Sequence, residues 1–184
     1  MAAAEKHYTP PVPEFNKPVK LLIVVAPYYK DIADDLVKGA KKAIKDAGGT
    51  YDLVEVPGAL EIPTAIAIAE RTSNFDGYVA LGCVIRGETT HYDTVCNDSS
   101  RMISQMGLNG ICIGNGILTV ENRKQAKVRA DVKDQNKGAG AAIAALHLVA
   151  LSRKWGNETK GVGFKPASGE FLMADSTDDG PKTA

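Results

Sequence analysis

Cysteine is scarce in this sequence: there are three in 184 residues, Cys83, Cys96 and Cys112. The number is odd and no Cys-x-x-Cys pair occurs, so a disulfide framework and a paired-thiol zinc site are both excluded. The pattern reads as reduced thiols in a cytoplasmic protein. Histidine is equally scarce, with three residues. His7 falls in the N-terminal stretch and His147 in an apolar helix, and neither stands at metal-ligand spacing from His91. No metal is expected. A surplus of charge is also missing: Lys plus Arg is 22 and Asp plus Glu is 22. A general nucleic-acid binder needs excess cations, so that class is excluded, although one local anion site is not. Long apolar runs are absent too. The stretch Ala139 to Leu151 is too short to span a bilayer and contains His147. Met1 to Pro18 has no apolar core of a signal peptide. No membrane partner is expected, and no repeat of solenoid period is found.

What is present is a single-domain length with 44% hydrophobic residues, enough for an ordinary core. Residues 1–18 hold Pro10, Pro11, Pro13 and Pro18 and read as an extended arm that would take its order from a neighbour. Leu21 to Ala26 is continuously apolar. Such a run suits a strand buried on both faces, hence a parallel sheet. Asp31 to Ala47 places Ile32, Leu36, Ala40 and Ile44 at helical spacing and ends at Gly48-Gly49. The cycle then repeats: a strand over Thr50–Val56, a helix over Ala59–Arg71, and a strand over Tyr78–Ile85. A helix follows over Glu88–Met106, closed by Gly107, then a short strand over Ile111–Ile113, broken by Gly114-Asn115-Gly116. Helices over Asn122–Asp131 and Gly138–Lys154 complete the order. This alternation predicts an α/β fold, a three-layer α/β/α sandwich on a four-stranded parallel sheet, flavodoxin-like. The core domain spans 19–155. Residues 156–184, rich in Gly, Lys, Asp, Thr and Ser, read as a disordered tail.

In an open parallel sheet, ligands bind at the carboxyl ends of the strands, so the loops there are the places to look. Pro27-Tyr28-Tyr29 follows the first strand. Its rings could wall a flat heterocycle, or simply cap the core. In Val56 to Glu61, Gly58 permits close backbone approach and the helix start offers free N–H groups. Glu61 could accept from hydroxyls, or serve only as a favourable acid in a first turn. In Gly82 to Tyr92 a strand runs into Gly87 and a helix is expected at once, presenting N–H donors and a positive dipole end to an anion. Thr89 and Thr90 add hydroxyls. His91 would then lie in the first turn beside that anion, although a lone His is more often structural. Arg129, with Lys133 and Lys137, would ordinarily be a solvated face, but Arg can also pair bidentately with phosphate.

Taken together, these segments resemble the lumazine synthase family. Val-Pro-Gly-Ala-x-Glu-Ile-Pro at 56–63 matches, and Ala-Leu-Gly-x-Val-Ile-Arg-Gly-x-Thr-x-His at 80–91 matches at every fixed position. Gly-Ile-Leu-Thr at 116–119 and Asn-Lys-Gly at 136–138 follow in order. The likeness covers residues 19–155. It implies that Tyr28 stacks on the pyrimidine, that Ala59, Leu60 and Glu61 hold the ribityl chain and pyrimidine, and that Cys83, Val84 and Ile85 contact the pyrimidine through backbone. It implies that Glu88, by its N–H, and Thr89 hold a ketone phosphate with Arg129 as countercharge. His91 would be the general acid/base, and Lys137 would lie near the pyrimidine. Two departures stand out. Asn115 replaces a frequent Phe, making an aromatic wall polar, and Pro-Tyr-Tyr at 27–29 replaces a common Arg-Phe-Asn.

The implied reaction condenses two small-molecule substrates, 5-amino-6-(D-ribitylamino)uracil and 3,4-dihydroxy-2-butanone 4-phosphate, with loss of water and phosphate and no cofactor. The resemblance also implies a homo-oligomer, a pentamer or a multiple of one, with sites shared between subunits. Asn115, Arg129 and His91 are then expected from a different subunit than Tyr28. Two other readings compete. A low-turnover lumazine or riboflavin binder on the same scaffold is opposed by the presence of both His91 and Arg129. A plain nucleotide binder is disfavoured because no Gly-x-Gly-x-x-Gly follows the first strand.

Overall fold

The computed structural model describes residue 8 and residues 10–156. The element order is β1 (Lys20–Val25), α1 (Lys30–Asp46), β2 (Thr50–Glu55), α2 (Glu61–Thr72), β3 (Gly77–Ile85), α3 (His91–Leu108), β4 (Ile113–Val120), α4 (Arg123–Ala130) and α5 (Lys137–Gly156). The four strands form one sheet in the order β2-β1-β3-β4. Every ladder is parallel. Alternation along β1 divides the core. Leu21, Ile23 and Val25 face a layer of α1, α4 and α5, through Leu36, Ile44, Ala126, Ala142 and Leu146. Leu22, Val24 and Ala26 face α2 and α3, through Ile62, Ile66, Ile103 and Met106. Both faces of β1 are therefore buried, which is why its sequence shows no polar alternation. This is the expected three-layer α/β sandwich.

The expectation for β4 needs correction. The strand is not broken at Gly114-Asn115-Gly116 but runs through it for eight residues. The glycines are there for approach, not for a turn. A Cβ on Gly114 would lie 1.8 Å from the Ala141 carbonyl oxygen, and one on Gly116 would lie 2.8 Å from the Ala141 Cβ. Helix α5 thus sits almost on the backbone of β4. Gly138 does the same for the α1–α5 contact, where a Cβ would meet the Leu36 carbonyl oxygen at 2.0 Å. Ahead of it, Asn136 adopts φ 45° and its side chain accepts from the Ala139 N–H at 3.4 Å, opening α5 one residue earlier than expected. At the end of α3 the left-handed residue is Gly110, not Gly107, which lies inside the last turn.

The arm's end also differs from the reading of a segment ordered by a neighbour. Arg153 of α5 donates to the carbonyls of Lys17 and Pro18 at 2.9 and 2.8 Å, and its guanidinium lies 5.5 Å from the Phe15 ring centroid. Asp76 closes the cluster, accepting from Arg153 and from the Lys20 N–H, both at 2.8 Å. The start of β1 is therefore fastened within the chain. Residues 1–7 and 9 of the arm, and residues 157–184 of the expected disordered tail, lie outside the described residues. Gly156 is the last residue of α5. Among the described residues no helix is long and apolar enough to cross a membrane.

The α5–β4 approach generates a prediction. Gly114→Ala should lower unfolding stability by about 1–3 kcal/mol or more, because either backbone must retreat. Gly140→Ala, where an added Cβ meets nothing within 4 Å, should instead stabilise α5 by about 0.5–1 kcal/mol. Urea denaturation of both variants checks the contrast; equal effects would mean that α5 does not lie so close.

Candidate active site

Strands β1 and β3 are neighbours, yet the chain leaves β1 toward β2 and reaches β4 from β3. Their carboxyl ends therefore mark a topological switch point, where loops diverge and open a crevice. A cavity of about 430 Å³ lies there. Its walls come from Ala26, Tyr28 and Tyr29 after β1, from Pro57 to Glu61 after β2, and from the end of β3 through the start of α3. The volume suits a small heterocyclic ligand.

Of the thirteen site residues expected from the sequence, nine line this cavity: Tyr28, Ala59, Leu60, Glu61, Cys83, Val84, Ile85, Thr89 and His91. Tyr28 is 75% exposed and meets Tyr29 edge-on, with centroids 5.0 Å apart and planes at 76°. Glu61 opens α2, and a Cβ on Gly58 would lie 2.8 Å from its Oε2, so Gly58 keeps that carboxylate clear. Cys83 is buried. Burial pushes its thiol up to about 11, with Arg123 pulling the other way, so it stays neutral.

The start of α3 requires a correction. The helix begins at His91, with Thr90 as its N-cap residue, three residues later than the expected Glu88. Gly87 to Thr90 form a loop instead of a first turn. The physical reason lies in local hydrogen bonding: the Thr89 hydroxyl accepts from the His91 N–H at 3.4 Å, a turn that competes with helix. The loop still offers donors. Among the described residues, the N–H groups of Gly87, Glu88 and Thr89 donate to no backbone oxygen.

The nearest cation is not free to serve that loop. Arg86 donates to Glu121 at 2.9 Å and to Asp93 at 3.2 Å, and its guanidinium lies 4.1 Å from the Tyr92 ring centroid. Glu88, Asn115, Arg129 and Lys137 do not line the cavity. The side chain of Asn115, an exposed position of the mostly buried β4, accepts from the Ile117 N–H at 3.0 Å, and half-buried Arg129 donates to its own helix at the Gln125 carbonyl, 3.2 Å away. Lys137 is exposed at the start of α5. The expected partition fails in one respect: His91 shares a single-chain cavity with Tyr28 and need not come from another subunit. Tyr29, the second of the two rings offered after β1, lines the cavity as well, and residues that the sequence reading does not select include Tyr92 and Val95. Tyr92 and Val95 follow His91 by one residue and by one turn, so the placement of His91 at the cavity points to both. Among the described residues, no three His, Cys, Asp or Glu side chains converge as a metal would require.

Comparison with known proteins decides the family. The family model described as 6,7-dimethyl-8-ribityllumazine synthase matches residues 18–153. The chain belongs to this family. Among its relatives is the 6,7-dimethyl-8-ribityllumazine synthase of Jannaschia sp. (strain CCS1), 54% identical over 166 residues, covering 90% of this chain and 93% of the relative. The protein of that name from Novosphingobium aromaticivorans is 54% identical over 136 residues, 74% of this chain and 98% of its own. The one from Bartonella tribocorum is 52% identical over 146 residues, 78% and 97% respectively. Membership makes the chain an enzyme of riboflavin biosynthesis in the transferase class.

Burial of Cys83 yields a pH prediction. Its folded value lies above the ordinary 9.0, at about 11. The unfolded chain therefore loses its proton first, and this contribution to stability is complete below pH 9 and declines as pH rises toward 11. Denaturant midpoints between pH 8 and 11 should fall, and should fall less in Cys83→Ala; identical alkaline slopes would assign the loss to other groups.

Proposed function

We propose that the chain condenses 5-amino-6-(D-ribitylamino)uracil with 3,4-dihydroxy-2-butanone 4-phosphate to give 6,7-dimethyl-8-ribityllumazine, phosphate and two waters. The observation that carries this reading is the convergence of Tyr28, Glu61 and His91 on one cavity, beside the amides of Gly87 to Thr89, which among the described residues donate to no backbone oxygen. Residues 19–155 form the catalytic unit. Tyr28 stacks on the pyrimidine. Ala59, Leu60 and Glu61 take the ribityl chain, and Cys83, Val84 and Ile85 flank the ring through backbone. The Glu88 amide and Thr89 hold the phosphate.

The substrate's own amine attacks the ketone, so no enzymic nucleophile is needed. One water leaves as the imine forms; elimination of the phosphate leaves an enol that becomes a new carbonyl at the former hydroxyl carbon, and attack on it by the ribityl-bearing nitrogen closes the ring with loss of a second water. Each step moves a proton, the work of His91, whose type has a reference pKa near ~6.5. Holding two substrates together supplies much of the rate. No cofactor enters.

Countercharge for the phosphate comes from Arg129 of a neighbouring copy, with Asn115 and Lys137 approaching from the same neighbour. Supporting this, Arg129 lies outside its own chain's cavity, and the nearer Arg86 is held by two carboxylates. The assembly is a pentamer or a multiple of one, and the compartment is the cytoplasm, in keeping with three free cysteines.

Mixing the two substrates with enzyme should produce the fluorescent lumazine. Tight lumazine binding without turnover would replace this reading with a binding protein on the same scaffold. Within the site, Arg129→Ala should mainly raise KM for the ketone phosphate, with the rate partly restored at high substrate. Arg129→Lys should fall between, keeping the charge but losing the fork. His91→Ala should lower kcat by about 10²–10⁴-fold, leave ketone-phosphate affinity nearly intact and flatten the pH–rate profile near neutrality. The roles are reversed if His91→Ala changes only KM, or if Arg129→Ala lowers kcat alone.

Assembly gives a separate prediction. Tyr28→Ala and Arg129→Ala chains, unfolded and reassembled together, should recover activity, because some sites then combine an intact cavity with an intact neighbour. Tyr28→Ala mixed with His91→Ala should not recover, since both residues line one chain's cavity. Assays of the mixed oligomers test this; recovery in the second mixture, or none in the first, would falsify the partition.

A further inference from the structure

Tyr28 is an unusual stacking surface because so little holds it. It is 75% exposed, and among the described residues its one aromatic partner is Tyr29, edge-on at 5.0 Å. Tyr29 is better anchored: it is half-buried and packs against the larger core cluster. Over its ring, 5.7 Å from the centroid, lies the guanidinium of Arg123. Arg123 is the first residue of α4, placed by the Asn122 cap, whose side chain accepts from the Gln125 N–H at 3.1 Å. Its other contact is Asp31 in the first turn of α1, at 2.7 Å. Four side chains from two distant parts of the chain thus form a line, Asp31–Arg123–Tyr29–Tyr28, that ends at the cavity.

We infer that Arg123, acting through Tyr29, sets the pose of the Tyr28 ring and so tunes how strongly the cavity grips a flat heterocycle. Arg123 and Tyr29 are positioning residues in this scheme. The inference rests on the reading of Tyr28 as the stacking surface. The physics is preorganisation. A side chain that must be immobilised on binding costs about two- to tenfold in affinity, and one already held does not. A cation over a ring fixes that ring, and an edge-to-face contact passes the constraint to its neighbour. The ion pair with Asp31 is exposed and weak as a source of stability, but it restricts where the guanidinium can sit.

The test places a reporter at the end of the line. Trp155→Phe removes the single tryptophan, and Tyr28→Trp introduces an indole at the cavity. Fluorescence of that indole then reports its mobility through anisotropy and its stacking through quenching by 6,7-dimethyl-8-ribityllumazine. In this background Arg123→Ala should lower the anisotropy without ligand and weaken lumazine binding by about three- to fivefold. KM for the ketone phosphate should stay within about twofold, since no anion contact is lost. Arg123→Lys should restore at least half of the lost affinity, because a lysine cation can also lie over Tyr29. With Tyr29→Ala already present, Arg123→Ala should have no further effect. A purely structural role would lower Tm and raise both KM values while leaving anisotropy alone, and that pattern overturns the inference. So does an Arg123 effect that persists without Tyr29. An introduced indole that lumazine fails to quench overturns the stacking reading and the inference with it; quenching that Arg123→Ala leaves at parental affinity overturns the inference alone.

Discussion

The pairing of β1 with β3, from Leu21 opposite Gly77 to Val25 opposite Leu81, is the constraint on which the rest of the molecule depends. These two strands are separated in the chain by α1, β2 and α2, and only their ladder brings the loops after them together. β1 is buried on both faces, so its register is fixed by packing from two sides; a slip of one residue would exchange Ile23 and Val24 between cores. Helix α1 crosses one face to reach β2 and α2 returns across the other. The ends of β1 and β3 are thus left uncovered at one point. The cavity is a consequence of that route, and the apolar character of β1 and β3 is what makes the route stable.

The electrostatics of the cavity follow from what its walls exclude. Glu61 is the one formal carboxylate on the lining, and Cys83, held neutral by burial, adds no charge. Amide donors from Gly87 to Thr89 lie in an exposed loop beside a lining poor in competing charge, so little on the cavity wall opposes an anion there. Arg86, the cation nearest this loop, is bound to Asp93 and Glu121 and covers Tyr92. Its role is to tie β3, α3 and the end of β4 together at the lip. An anion at the loop would have to pull Arg86 away from two carboxylates to use it, so a countercharge brought from outside the chain is the less costly arrangement.

Much of this is legible in the sequence, for identifiable reasons. Leu21 to Ala26 announces a doubly buried strand because burial on both faces removes alternation. The Gly87 to His91 segment announces a site because a motif at a strand end has a predictable location in this fold. What escapes sequence reasoning is set by partners that it cannot see. Gly114 and Gly116 look like a strand breaker because their reason, the backbone of α5 at Ala141, lies far along the chain. The start of α3 is hidden because Thr89 offers its hydroxyl to the His91 amide, a local competition that composition does not reveal. Tyr29 does not stand out from its neighbour, since nothing nearby in sequence shows that Arg123 lies over it. His91 shares a cavity with Tyr28 against expectation, because no local pattern encodes which residues of a shared site belong to one chain.

The openness of the cavity bears on how the proposed chemistry could run at all. The reaction removes two waters and a phosphate, and imine formation and ring closure are both driven backward by bulk water. A cavity whose proposed stacking residue, Tyr28, is three-quarters exposed does not exclude solvent from within one chain. The side chains proposed to complete the site, Asn115, Arg129 and Lys137, stand outside the cavity of their own chain. A neighbouring copy that brings them in would also close the mouth, so countercharge and water exclusion would arrive with the same contact. On this view a lone subunit holds the proton-transfer group and the heterocycle wall but lacks the dry, charge-balanced environment in which phosphate can leave. Assembly then becomes a condition for catalysis, and the polar Asn115 on the incoming wall would act on how tightly the flat product is retained more than on whether it is formed.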